Sequence, residues 1–171
     1  FLVLTWQPKA ALLSEPSLTA LAAMVEDLRE LTGVSSVTSV LDVPLLESPP
    51  LSLSDIADSQ GVKTLRDPGV DRDLALTEFT TSPIYRNLLV GAAGDVTAVE
   101  VSLSVNTELE ALLNERETLR KLVRTEGLRP EQRERLDVVE RNYDELQAQA
   151  SEQRAKLVAE VRAVADQYRD R

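Results

Sequence analysis

The sequence predicts an α+β fold, a small body of β-α-β type followed by a long antiparallel coiled-coil helical hairpin. Three observations lead there. Before Asn106, β-prone apolar runs flank one amphipathic helical stretch; after it, apolar residues recur at alternating spacings of three and four. The charge changes at the same place, since residues 1 to 106 hold 14 acidic against 6 basic side chains and residues 107 to 171 hold 15 against 13. The expected division is therefore a body over 1–106 and a hairpin over 107–171, whose C-terminal part packs back on the body.

Phe1-Leu-Val-Leu-Thr-Trp6 is a compact apolar run closed by Pro8 and predicts a first strand. Ser14-Glu-Pro-Ser17 reads as a helix entry. Leu18, Leu21, Ala22, Val25, Leu28 and Leu31 then share one helical face, with Gly33 as the residue that stops the helix. Val34 to Val43 predicts a second strand, ended by Pro44. From Pro44 to about Arg72 the chain is rich in Pro, Ser, Asp and Gly, the composition of a connecting excursion. A short helix is expected at Asp71 to Phe79. Leu88–Val90 and Thr97–Val105 then read as a β-hairpin around Gly91-Ala-Ala-Gly94.

Asn106-Thr107 can cap a helix running to Glu126, where Gly127 stops it and Pro130 opens the next. Leu136, Val139, Tyr143, Leu146, Ala150, Gln153 and Leu157 form the seam of the second helix. Acid-to-base pairs four residues apart, Glu117 with Lys121, Glu131 with Arg135, Asp137 with Arg141 and Glu152 with Lys156, support both arms. The arms are unequal, roughly 30 Å against roughly 58 Å at the helical rise per residue. The excess of the second helix, from Leu157 to Tyr168, is expected to pack on the sheet beside the first helix. That makes five elements of a ferredoxin-like split β-α-β plan, with its last strand expected beyond Arg171.

Composition narrows the chemistry. A chain of 171 residues with 43% apolar residues can bury a core, but aromatics are only 4%, so Leu, Val and Ala must fill it. With no Cys and no His, thiolate nucleophiles, imidazole bases and ordinary zinc sites are not expected, and no catalytic, cofactor-binding or metal residues are assigned. The chain reads as a non-enzyme. A formal charge of −10 argues against nucleic acid as a partner. The longest apolar runs fall short of the roughly 18 to 20 residues that a spanning helix needs. The chain begins at Phe1 without Met or a basic, apolar leader, and so reads as a mature or cut piece.

Few groups invite a functional assignment. Asp71-Arg-Asp73 resembles an acid pair but reads as helix capping. Leu45, Leu46, Leu51 and Leu53 flank Pro49-Pro50 with no helical or strand period. They are either an exposed apolar lip, near a substrate path or a subunit contact, or residues tucked under the sheet. Gly127, Leu128 and Pro130 form the hairpin tip, where Leu128 is either a partner contact or a single exposed leucine.

Gly33-Val-Ser-Ser-Val37-Thr-Ser-Val40-Leu-Asp-Val-Pro-Leu-Leu46, then Ser82-Pro-Ile-Tyr-Arg-Asn-Leu-Leu89 and the Thr97–Val105 run, resemble the first extracytoplasmic loop of RND-superfamily exporters, in the hydrophobe/amphiphile branch with its MMPL-like lipid and hopanoid exporters. Asn114-Glu-Arg-Glu117, Glu126-Gly-Leu-x-Pro-Glu-Gln132 and Glu160-Val-Arg162 continue the likeness. The resemblance implies a porter subdomain on the periplasmic face of a bacterial inner membrane, belonging to a proton-driven exporter of hydrophobic or lipid-like molecules. Its partners would be the transmembrane part of the same transporter, other copies in a homo-oligomer, a hydrophobic substrate and an envelope protein. The family's proton-relay acids lie in membrane helices, so none maps here. Two other classes combine helices in this way: a periplasmic adaptor of the membrane-fusion type in a tripartite efflux pump, and a coiled-coil scaffold.

Overall fold

The structure is a computed structural model and describes residues 1–47 and 62–170. It is α+β. Among the described residues are a three-stranded antiparallel sheet and four helices: β1 (Leu2–Trp6), α1 (Glu15–Arg29), β2 (Val34–Thr38), α2 (Arg72–Thr81), β3 (Thr97–Leu103), α3 (Thr107–Thr125) and α4 (Pro130–Gln167). They divide into two compact units, one of Phe1–Leu103 with Glu160–Arg171 and one of Ser104–Ala159.

In the first unit the strand order is β1-β3-β2, with β3 antiparallel to both neighbours. Two parallel strands therefore flank a third that follows them in sequence, and α1 makes the crossover between them. The register sets Leu2 opposite Val101, Leu4 opposite Val99 and Trp6 opposite Thr97. Because side chains alternate along a strand, those residues share one face. Trp6, Val37, Thr97, Val99 and Val101 are buried there, while Val3, Thr5 and Glu100 on the other face are exposed. The stripe Leu18, Leu21, Val25 and Leu28 of α1 is buried, and Met24 joins it.

The end of α4 belongs to this unit, where Val161, Val164 and Tyr168 are buried. Trp6 donates from Nε1 to the Tyr168 carbonyl at 2.9 Å, and the Tyr168 hydroxyl donates to Asp27 Oδ2 at 2.5 Å. These two bonds tie the end of α4 to β1 and to α1.

Three expectations need correction. Leu88–Val90 is not a strand: Ser82 to Leu89 winds into successive turns, with Arg86 N–H donating to the Ser82 carbonyl and Leu89 N–H to that of Tyr85. Asn87 has φ 62°, a left-handed conformation that Asn tolerates, and the backbone groups a strand would use are bonded locally. Only Val90 bridges to Thr97. The second strand stops at Thr38 rather than Val43, because the Asp42 carboxylate accepts from the Ser39 N–H and hydroxyl and closes a turn. Helix α1 ends at Arg29, and Gly33, with φ 96°, turns the chain into β2.

The second unit holds α3 and the greater part of α4. Asn106 Oδ1 accepts the Leu109 N–H at 3.0 Å and caps α3; Gly127, with φ 79°, ends it, and Pro130 is the first residue of α4. Arg116 meets Tyr143 and Arg120 meets Glu140, so the helices run antiparallel. Leu119 and Val139 are buried along this pair. Arg135, expected to pair with Glu131 on its own helix, instead grips Glu115 across the pair in two bonds of 2.6 and 2.7 Å. A bidentate carboxylate fits the planar guanidinium better than one partner a helical turn away.

Candidate functional site

The root of the excursion after β2 is the most heavily braced polar region of the body. Leu45 N–H donates to the Lys63 carbonyl at 2.7 Å, which joins the two ends of the excursion. Arg66 donates from Nε to Asp42 Oδ1 at 3.0 Å, and Arg29 donates to the same oxygen at 3.1 Å. Partial burial pushes the Asp42 carboxyl up, but the Ser39 hydroxyl and N–H, then Arg66 and Arg29, outweigh it and hold the carboxyl below its ordinary value.

Helix α2 supplies the second brace. Asp71 Oδ1 accepts the N–H groups of Asp73 and Leu74, both at 3.0 Å, so this acid caps the helix. The cap starts a helix that carries Glu78 into the interior, where it is 2% exposed. Its two carboxylate oxygens accept the N–H groups of Leu46 and Glu47 at 2.7 and 3.0 Å. One turn away, Phe79 packs edge-on against Tyr85, with centroids 5.4 Å apart and planes at 73°. The Tyr85 hydroxyl donates to the Pro44 carbonyl. Burial first, and the negative charge of Glu78 second, push the Tyr85 phenol above its ordinary value.

The four leucines of the predicted lip do not act together. Leu45 is fully buried, so for this residue the exposed lip is corrected: its N–H pairs with Lys63, and that pairing turns the side chain inward. Leu46 is 39% exposed. Leu51 and Leu53 lie outside the described residues. At the helical turn, Gly127 and Pro130 are exposed and Leu128 is half-buried. The turn is braced by Gln132, whose Oε1 accepts the Arg129 N–H at 3.0 Å.

Sequence reasoning missed Glu78. Its only local sign is a carboxylate on the apolar face of a short helix, four residues after Leu74 and one before Phe79, a place where a charge needs a partner from elsewhere in the chain. Tyr85, by contrast, lies inside the Ser82–Leu89 motif, and there it joins α2 to the root of the excursion. Among the described residues no three carboxylates converge as a metal would need, and no helix is long and apolar enough to cross a membrane. Searches against known protein families, curated proteins and solved structures return no match.

Proposed function

We propose that this chain is the extracytoplasmic domain of a proton-driven RND-type inner-membrane exporter of hydrophobic or lipid-like molecules. The observation that carries the reading is the strand order β1-β3-β2, with α1 crossing between parallel β1 and β2. That is the order of a ferredoxin-like porter subdomain whose closing strand would lie along the outer edge of β1. The anchoring of Tyr168 beside Trp6 and Asp27 supports it, because it brings the chain to the end of β1. The motif resemblance points the same way, since Tyr85 of Ser82–Leu89 and the Val37–Leu46 segment meet at one brace.

In this reading the body flanks the substrate path at Leu46, with Leu51 and Leu53 following it, and Leu45 is a core residue. The antiparallel helices form a coiled-coil arm whose turn at Gly127, Leu128 and Pro130 contacts another copy or an envelope partner. The domain has no catalytic role. Fractionation of the full-length gene product is the test: recovery with inner membranes is expected, and Leu46→Asp should reduce export while leaving membrane insertion intact. Recovery in the soluble fraction overturns the reading and leaves the scaffold alternative, for which the helix pair of Ser104–Ala159 is the favouring observation.

A further inference from the structure

One stretch of this acidic protein is positive. Residues 118–135 hold six Lys or Arg against three Asp or Glu, while the whole chain holds 19 against 29. Within the second unit, an open groove of about 950 Å³ runs along α3 and takes in Leu136 of α4. Arg116, Arg120, Lys121 and Arg124 line it with four cations against the one carboxylate of Glu117, and Val123 adds apolar surface.

Three of those cations are not neutralised. Arg120 is satisfied, donating from Nε and Nη2 to Glu140 at 2.9 and 2.7 Å. Lys121 and Arg124 form no ion pair among the described residues, although Glu117 stands four residues before Lys121. The Arg116 guanidinium lies over the Tyr143 ring at 3.7 Å, and its buried Nε has no hydrogen-bond partner. A cation stacked on an aromatic face is pre-oriented, and its remaining N–H groups are free to grip an anion. Residues 116, 120 and 124 repeat every four positions, so they form one stripe roughly 12 Å long at the helical rise. That length suits one or two phosphates and not an extended polyanion.

The apolar part of the groove decides what carries the phosphate. Val123 is 50% exposed between Lys121 and Arg124, and Leu136 is half-buried opposite. We propose that this groove binds a phosphate-bearing amphiphile, its anionic group held by Arg116, Lys121 and Arg124 and its apolar part laid against Val123 and Leu136. The acidity of the remaining chain does not forbid this, because at physiological salt charges further than about 8 Å away are screened. The site lies wholly within Ser104–Ala159 and does not depend on the transport reading.

The test is titration of the chain Phe1–Arg171 with monomeric dihexanoylphosphatidylglycerol, followed by calorimetry. Saturable one-to-one binding is expected, with Lys121→Gln/Arg124→Gln weakening it by about tenfold or more, the loss of one charge-assisted contact. Both side chains are exposed and unpaired, so the double variant should melt like the parent; should it not, Arg124→Gln alone serves. Val123→Ser should weaken the lipid several-fold, roughly the loss of one apolar contact, and leave glycerol phosphate unchanged. Equal affinity for dihexanoylphosphatidylcholine, or parental affinity in the charge variant, overturns the proposal. Equal affinity for inorganic phosphate overturns the amphiphile and leaves a bare anion site.

Discussion

The two units of this chain are stabilised by different physics. In the body, Leu21, Val25, Leu28, Val99 and Val101 are completely shielded from water, and the polar contacts that matter, from Trp6 to Tyr168 and from Glu78 to two backbone N–H groups, are buried as well. In the helix pair, Leu119 and Val139 are buried, but the named cross-contacts are made by charges at the surface: Glu115 with Arg135, Arg120 with Glu140, and Arg116 on Tyr143. Burial of apolar surface is indifferent to salt, whereas exposed ion pairs are weak and screened. The body should therefore set the global stability, and the helix pair should respond to solution conditions.

The comparison breaks most readily at the core. Leu28→Ala should cost about 2–5 kcal/mol in urea unfolding, because the cavity it leaves lies among rigid neighbours. Leu119→Ala, at a site that can collapse between two helices, should cost less than Leu28→Ala; equal losses would show that the two units share one mechanism. Next in size is Glu78→Ala, expected at about 2–3 kcal/mol, since it leaves the N–H groups of Leu46 and Glu47 without an acceptor. Trp6→Phe keeps the ring but removes the donor to the Tyr168 carbonyl, for about 1–2 kcal/mol, the cost of one buried orphan acceptor.

Smaller effects sharpen the contrast. Tyr143→Leu should cost about 0.5–1 kcal/mol by removing the face on which Arg116 rests, and hydrogen exchange should report it in α3 and not in β3. The titrations differ in sign and place. Asp42 and Glu115 both have carboxyls held low, Glu115 by its bonds to Arg135, so their stabilisation is full above their ordinary values of 3.8 and 4.5. It is lost as pH falls through the lower folded values. High salt should erase the Glu115 contribution and spare that of Asp42, which two arginines and a turn enclose. The Tyr85 phenol is raised, so its contribution is full below 10.0 and disappears as pH climbs through the folded value; ultraviolet titration of Tyr85→Phe against the parent reads this directly.

Much of the architecture was legible because its signals are local. Asp71 and Asn106 cap the helices that follow them, and Gly127 and Pro130 mark the turn between α3 and α4. Each of these is an interaction between residues two to four apart, which any neighbourhood of sequence displays. The buried stripe of α1 follows from helical period alone. Where the reading failed, local preference competed with a turn. Leu88–Val90 has the composition of a strand, yet Asn87 adopts a left-handed φ and the segment bonds to itself.

The sequence by itself determined the identity and ends of most elements, the α+β class and the charge division near Asn106. Tertiary structure alone decided that β3 enters between β1 and β2, that Leu45 faces inward while Leu46 stays at the surface, that Glu78 receives two N–H groups from 31 and 32 residues away, and that Arg135 takes Glu115 in place of Glu131. The physical reason is the same in each case. A cap or a helical stripe is a contest among neighbours, settled by propensity, whereas a buried carboxylate, an edge or a bidentate ion pair is settled by whichever distant group the packed chain brings within bonding distance.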